Sequence, residues 1–169
     1  FIGQRNSIDI CGTLMALGNF TLAASAGTQG ADVVNASHSL LNLGLGLLIV
    51  GNGFFKPNIS TMVGGLYGSN DPRRDSGFTI FYMGINLGAF IAPLIAGTMG
   101  ENWGWQFGFA SAGIGMLLGI LVFHFTTKYL GLVGMPPTAT PGTTTFRTRD
   151  WIDIVAIIAG CFIGTWALL

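Results

Sequence analysis

Long apolar stretches alternate with short polar ones along this chain. An α-helix needs about 20 apolar residues to cross the hydrocarbon core of a bilayer. Four stretches meet that requirement and a fifth begins near the end, so the pattern predicts an all-α transmembrane fold. The predicted spans are residues 8–26, 39–66, 78–99 and 105–127, with a further span over 150–169.

The residues around the predicted spans specify where each helix begins and how it runs. Asn6 or Ser7 is expected to cap the first helix, with Asp9 in its first turn, where a helix favours an acid. Pro57 and Pro93 lie inside the second and third spans and are expected to permit bending. Polar loops are expected between the spans, at residues 27–37, 67–77 and 100–104.

Composition supports membrane insertion and argues against several function classes. Hydrophobic residues make up 50% of the chain and charged residues only 8%, whereas soluble domains carry about 25% charged residues. The lipid bilayer is therefore an expected partner. The formal net charge of zero gives no reason to expect a nucleic-acid partner. The two cysteines and two histidines show no metal-ligand or nucleophile–base spacing, so we expect no metal site, no catalytic residue and no enzyme.

The positive charges predict the orientation. Of the seven basic residues, all but Lys56 fall on one side if the chain crosses the membrane four times. The positive-inside rule places that side in the cytoplasm of a multi-pass plasma or inner-membrane protein. The segments expected there are residues 1–7, 67–77 and 128–150. Residues 130–149, rich in Gly, Pro and Thr, are interpreted as a cytoplasmic linker.

Lys56 is the only charged residue within the second span. A lysine at the centre of a membrane helix costs about 2.5–3.5 kcal/mol on insertion scales. Apolar sequence on both sides separates its ammonium from the headgroups, so we expect it to face a protein interior or a wet cavity. Such a charge indicates a functional site. The alternative is a structural lysine paired with an acid from another helix.

Polar residues recur at helical spacing on the second and third spans. Asn52 and Ser60 lie one turn on either side of Lys56, and Tyr82 and Asn86 are four residues apart. The two spans are antiparallel and joined by a short loop, so our hypothesis is that these faces meet at a similar depth. Asn52 and Ser60 are expected to support helix packing.

Together, the two polar faces could bind a zwitterion. Lys56 would bind its carboxylate, and Tyr82 and Asn86 would contact its amide or amine groups. A lysine in a dry site also gives up its proton more readily, so Lys56 could exchange protons during transport. The alternatives are plain packing for Tyr82 and interhelical hydrogen bonding for Asn86.

Two motifs on these spans resemble the proton-dependent oligopeptide transporter family of the major facilitator superfamily. They are G-x-G-x-x-K-P at Gly51–Pro57 and F-Y-x-x-I-N-x-G at Phe81–Gly88, the second of which is a rather specific family signature. The flanking sequences GQR, GSNDPRRDSGF and GWQFGFASAGIGM are also similar to the family. The likeness extends over most of Phe1–Tyr129.

The resemblance implies that residues 1–129 form transmembrane helices 3–6 of the amino-terminal helix bundle. It implies proton-coupled symport of di- and tripeptides by alternating access, driven by the proton gradient without a cofactor. Small peptides and protons are the implied ligands, and Lys56, Tyr82 and Asn86 are the implied substrate-binding and proton-coupling residues. There are two alternatives. One is a related facilitator for another solute such as nitrate, and the other is a non-transporting membrane sensor or assembly subunit.

Some family motifs are absent from the sequence. The E-x-x-E-R-F motif of the first helix does not occur, and the last span lacks the F-W-x-x-x-E-Q pattern expected on helix 7. Residues 150–169 therefore begin either helix 7 or the extra helical hairpin of prokaryotic members. We expect the chain to be an internal part of a longer protein that does not transport alone.

Overall fold

Four long α-helices dominate the computed structural model, which describes residues 3–27, 34–68 and 70–135 and a few single residues between 152 and 163. No strand occurs in those ranges, and all four helices are long and apolar enough to cross a membrane. The predicted all-α transmembrane fold is therefore confirmed. The helices are α1 (Gln4–Gly27), α2 (Val34–Gly65), α3 (Arg73–Trp103) and α4 (Trp105–Thr126), and a 3-10 turn follows at Thr127–Leu130.

Two regions interpreted from the sequence lie largely outside the described residues. The linker expected at 130–149 is described only as far as residue 135. Most of the further span expected at 150–169 is likewise outside.

The first helix begins earlier than the sequence predicts. The backbone N–H of Ser7 donates to the carbonyl oxygen of Gly3 at 3.1 Å, and its hydroxyl donates to the same oxygen at 2.9 Å. Ser7 is thus inside the helix, and the prediction that Asn6 or Ser7 caps it is wrong. Asp9 lies in the second turn rather than the first. The polar residues at the start continue the helix because their backbone groups find partners within it.

The third helix is longer than predicted at both ends. At its start, Asp71 accepts a hydrogen bond from the backbone N–H of Arg73 at 2.9 Å and thereby satisfies a free donor of the first turn. At its end, Gly104 alone separates α3 from α4. Its φ of 111° is open to glycine but strained for other residues, so the chain reverses at one position. The expected loop at 100–104 is reduced to this corner.

The prolines within the second and third helices do not end them. α2 is helical through Pro57 and α3 through Pro93. A proline withholds one hydrogen bond from the helix, a defect that membrane helices tolerate where neighbouring groups satisfy the freed carbonyl.

α1 is the central helix of the assembly. It packs most extensively against α2 and also against α4, and α4 in turn packs against α3. α2 and α3 are consecutive in sequence but scarcely touch. The order of packing is therefore α2–α1–α4–α3, with α2 and α3 as the outer members.

Glycines bring α1 and α2 to backbone contact. A Cβ added to Gly18 would lie 2.9 Å from the carbonyl oxygen of Gly44, and a Cβ on Gly51 would lie 2.9 Å from that of Cys11. Both distances are shorter than real Cβ contacts. Lipid tails are as apolar as side chains, so close van der Waals packing rather than the hydrophobic effect holds such helices together.

The contact between α1 and α4 uses glycines against large side chains. A Cβ on Gly12 of α1 would meet Ile120 at 2.9 Å, and a Cβ on Gly113 of α4 would meet the ring of Phe20 at 3.1 Å. Each helix therefore contributes a small residue that receives a large one, which sets the register of the pair.

Gly51→Ala is expected to destabilise the bundle, because the new Cβ collides with the backbone of Cys11 and with the side chain of Met15. Overpacking of this kind costs about 1–3 kcal/mol. The matched control is Gly53→Ala on the same helix, where a Cβ meets nothing within 4 Å. The control should be neutral or stabilising by up to about 1 kcal/mol through helix propensity. Thermal unfolding of the detergent-solubilised protein measures both, and equal Tm values for the two variants would contradict this account of the interface.

Candidate functional site

Lys56 lies on an exposed part of α2. Asn52, one turn before it, is also exposed, and Ser60, one turn after it, is half-buried. Across the described part of the chain, the ammonium of Lys56 makes no ion pair and no hydrogen bond. The predicted polar face of α2 is therefore present and is not covered by the other described helices.

Tyr82 and Asn86 lie on α3 and are exposed, Tyr82 to 55%. The Tyr82 ring has aromatic neighbours on its own helix. Its centroid lies 6.4 Å from that of Phe78 in a stacked arrangement and 5.7 Å from that of Phe81 at a tilted angle. These rings restrict the orientations of the phenol and leave its hydroxyl available for other partners.

Counting along α2 and α3 from one contact puts Lys56 and Asn86 at similar distances from the loop that connects the two helices. The Phe78 ring at the start of α3 reaches to within 3.4 Å of a Cβ built on Gly64, near the end of α2. Lys56 precedes Gly64 by eight residues, and Asn86 follows Phe78 by eight. At a rise of 1.5 Å per residue, each lies about 12 Å from this contact, whereas Tyr82 lies about 6 Å from it.

The two polar faces do not join into one site within the described residues. The contacts between α2 and α3 are few, and the neighbours recorded between them lie beside the connecting loop. No hydrogen bond in these ranges connects Lys56 with Tyr82 or Asn86. The hypothesis of a shared depth fits the helix register, but the structure does not bring the three side chains together.

Glycines on the two helices that carry the candidate residues have open space around them. A Cβ built on Gly53, Gly84 or Gly88 would meet nothing within 4 Å, unlike the glycines that α1 packs against. None of the most apolar window of α3 is buried. The described helices therefore leave uncovered the faces that carry the candidate residues.

Arg5 makes a clamp that sequence reasoning missed. Its Nε donates to the carbonyl oxygen of Val133 at 2.7 Å, and its Nη2 donates to that of Gly131 at 2.6 Å. Its backbone N–H donates to the carbonyl oxygen of Gly134 at 3.2 Å. The guanidinium fork thus ties the start of α1 to the turn that follows α4.

The sequence alone does not reveal this clamp, because it depends on the backbone of a distant turn. Gly131 and Gly134 adopt φ values of 59° and 80°, a region open to glycine, and their turn presents carbonyl oxygens to Arg5. An arginine at the end of a span indicates topology and gives no partner by itself. Gly131 and Gly134 lie far from Arg5 in sequence, and nothing in the sequence connects this glycine pair with that arginine.

Asp71 and Arg73 form the ion pair recorded in the described chain, beside the start of α3. The guanidinium donates through Nε to Oδ1 at 3.1 Å and through Nη2 to Oδ2 at 2.9 Å. These hydrogen bonds, together with the one from the Arg73 backbone, hold the pKa of the Asp71 carboxyl below its ordinary value. The contribution of the pair to stability is present above that ordinary value and is lost as the pH falls through the lowered one.

The described residues contain no group of three or more His, Cys, Asp or Glu side chains that could hold a metal ion. The described candidate residues offer the cation of Lys56 on α2 and, on α3, the amide of Asn86 and the phenol of Tyr82.

Comparison with known proteins identifies relatives along almost the whole chain. The family model described as the POT family matches residues 5–145. A di-/tripeptide transporter of Lactococcus lactis is 36% identical over 168 residues, which are 99% of this chain and 32% of the relative. The peptide transporter YePEPT of Yersinia enterocolitica is 44% identical over 124 residues, 73% of this chain and 23% of the relative.

Solved structures show the same arrangement of helices. A crystal structure of a mutant peptide transporter POT in complex with alafosfalin is similar with a TM-score of 0.72 at 36% identity. The match covers 99% of this chain and 32% of that one. A peptide transporter POT in complex with sulfate gives the same TM-score and identity. The chain thus spans about a third or less of the length of these relatives.

Arg5→Gln is expected to loosen the start of α1 from the turn after α4, because two hydrogen bonds from a charged group are lost. The expected cost is about 1.5–3 kcal/mol in the free energy of unfolding for each hydrogen bond that Gln fails to replace. Arg5→Lys should lose most of the same stability, since an ammonium lacks the planar fork that reaches both carbonyls. Arg74→Gln, which removes an exposed arginine charge, is the control. The clamp would be refuted if Arg74→Gln lowered Tm as much as Arg5→Gln does. It would also be refuted if Arg5→Lys kept the Tm of the unmodified protein.

Proposed function

The chain belongs to the POT family, and we propose that the protein containing it is a proton-coupled symporter of di- and tripeptides. The observation that carries this proposal is the family match over residues 5–145, which includes both helices with candidate site residues. The family is one of transporters, not of enzymes. Two relatives named as peptide transporters, and solved structures of another, support a peptide substrate.

This is a multi-pass membrane protein, and we propose the plasma or inner membrane as its location. Residues 1–7, 67–77 and 128–150 would lie in the cytoplasm, since they carry every basic residue except Lys56. In this orientation the Asp71–Arg73 pair and the Arg5 clamp both lie at the cytoplasmic side of the bundle.

Lys56 is proposed to bind the carboxylate of the peptide and to take part in proton coupling. An ammonium within the membrane is costly without a counter-charge. A peptide carboxylate that enters the cavity would supply that counter-charge and bind to Lys56. A proton that leaves Lys56 removes that attraction. Binding of the peptide and movement of the proton would then be linked at one atom, Nζ of Lys56.

Tyr82 and Asn86 are proposed to contact the peptide from α3. Asn86 lies at about the same depth as Lys56, so its amide would meet the peptide backbone close to the carboxylate, where it can both donate and accept. Tyr82 lies about 6 Å closer to the loop, and its phenol hydroxyl would reach a second part of the ligand.

Parts of the protein outside this chain would complete the cavity. The relatives are about three times as long, and the faces that carry Lys56 and Asn86 are uncovered here. Transport would proceed by alternating access around a site between two helix bundles, with the proton gradient as the driving force and no cofactor.

Lys56→Ala in the whole protein is expected to lower proton-driven dipeptide uptake about tenfold or more. The loss follows from removing a hydrogen bond between two charged groups, which is worth about 1.5–3 kcal/mol. Uptake of a labelled dipeptide into proteoliposomes with an imposed pH gradient measures the effect. Lys128→Ala is the matched control, since Lys128 is the other lysine of the chain and its ammonium lies over the Tyr129 ring, 5.0 Å from the centroid.

Normal proton-driven uptake by the Lys56→Ala protein would refute the role given to Lys56. Competition separates the other candidate functions. If nitrate but not dipeptides competes for uptake, the substrate class is wrong. If the unmodified protein shows no substrate-dependent proton flux at all, it is not a symporter.

A further inference from the structure

Asn52 lies beside Lys56 on the part of α2 that the described helices leave uncovered. The two residues are one helical turn apart and both are exposed, whereas Gly51 is buried against α1. Residues four apart in a helix have Cβ atoms about 5–6 Å apart on the same side. The described helices therefore do not use Asn52 for packing, although asparagine often holds membrane helices together.

The amide of Asn52 makes no hydrogen bond in the described ranges. Three other asparagines inside the helices satisfy their amides locally. The Nδ2 atoms of Asn19, Asn58 and Asn102 each donate to the carbonyl oxygen four residues back, at 2.9, 2.7 and 2.9 Å. An amide within the membrane costs free energy unless it is paired or wet. The Asn52 amide is therefore available to a partner from outside its own helix.

Gly53 and Pro57 keep the surface beside Asn52 and Lys56 open. Both are exposed, and a Cβ built on Gly53 would meet nothing within 4 Å. Pro57 has no N–H, so it supplies no hydrogen bond to the carbonyl oxygen of Gly53 four residues back. Glycine is common where a ligand approaches a backbone closely. A small polar ligand therefore has room to lie against α2 here.

Both side chains can donate hydrogen bonds to the same anion, because an ammonium and an amide NH2 group each carry more than one N–H donor. No acidic side chain in the described ranges pairs with Lys56, so these donors lack an anion. We propose that Asn52 is a further substrate-binding residue, whose Nδ2 donates to the peptide carboxylate together with the Nζ of Lys56. This assignment rests on the proposed function and extends its site by one helical turn.

Asn52→Ala in the whole protein is expected to raise the Kd for alanylalanine about tenfold, as measured by isothermal titration calorimetry. The loss is that of one hydrogen bond to a charged group. Asn58→Ala is the matched control on the same helix, and it should leave this Kd unchanged because the Asn58 amide is bound to the carbonyl oxygen of Phe54. Alanylalanine amide has no carboxylate, so it should bind, or fail to bind, equally to Asn52→Ala and the unmodified protein.

An unchanged Kd for alanylalanine in Asn52→Ala, or an equal loss for the amide, would overturn the role given to Asn52. If Asn52→Ala does not fold, Asn52→Ser decides, since a helical serine bonds to its own backbone, as Thr61 does. The proposed symport fails differently, because it is refuted if the unmodified protein neither binds nor takes up dipeptides. Normal binding by the variant of a protein that takes up dipeptides refutes only the role of Asn52.

Discussion

The close approach of α1 to its neighbours is the contact on which the other positions depend. Within a membrane no hydrophobic effect drives helices together, so their association depends on shape. Gly18 and Gly44 let two backbones meet, and Gly12 and Gly113 each receive a large side chain from the opposite helix. α1 therefore fixes α2 and α4, and α3 is held through α4 rather than through its sequence neighbour α2.

This order of packing leaves the faces that carry the candidate site residues outside the contacts that stabilise the bundle. Lys56 lies on the uncovered part of α2, and Asn86 lies on the uncovered part of α3 at about the same depth. Packing and the proposed binding thus use different faces of the same helices. A rigid contact on one face and a cation on the other suit a transporter, whose cavity must change while its bundles keep their shape.

The charged residues illustrate what a single sequence can and cannot predict. Lys56 stood out because a lone charge in an apolar run is costly wherever the run is placed. Arg5 does not stand out, because an arginine at the end of a span indicates only the topology by itself. Its partner, the turn at 131–134, lies more than a hundred residues away in sequence. Pairings of that length leave no periodic signal in a single sequence.

The sequence by itself determined the four helices of the described residues, their approximate limits, the family and the residue types available for a site, because the bilayer imposes a length and an apolar composition on every span. Helix ends depended on local partners such as Asp71 and the single-residue corner at Gly104, and were predicted less well. Only the tertiary structure decided which helices are neighbours. Consecutive helices α2 and α3 meet little beyond their loop, because the interlocking of small and large side chains, not sequence order, determines which faces fit together.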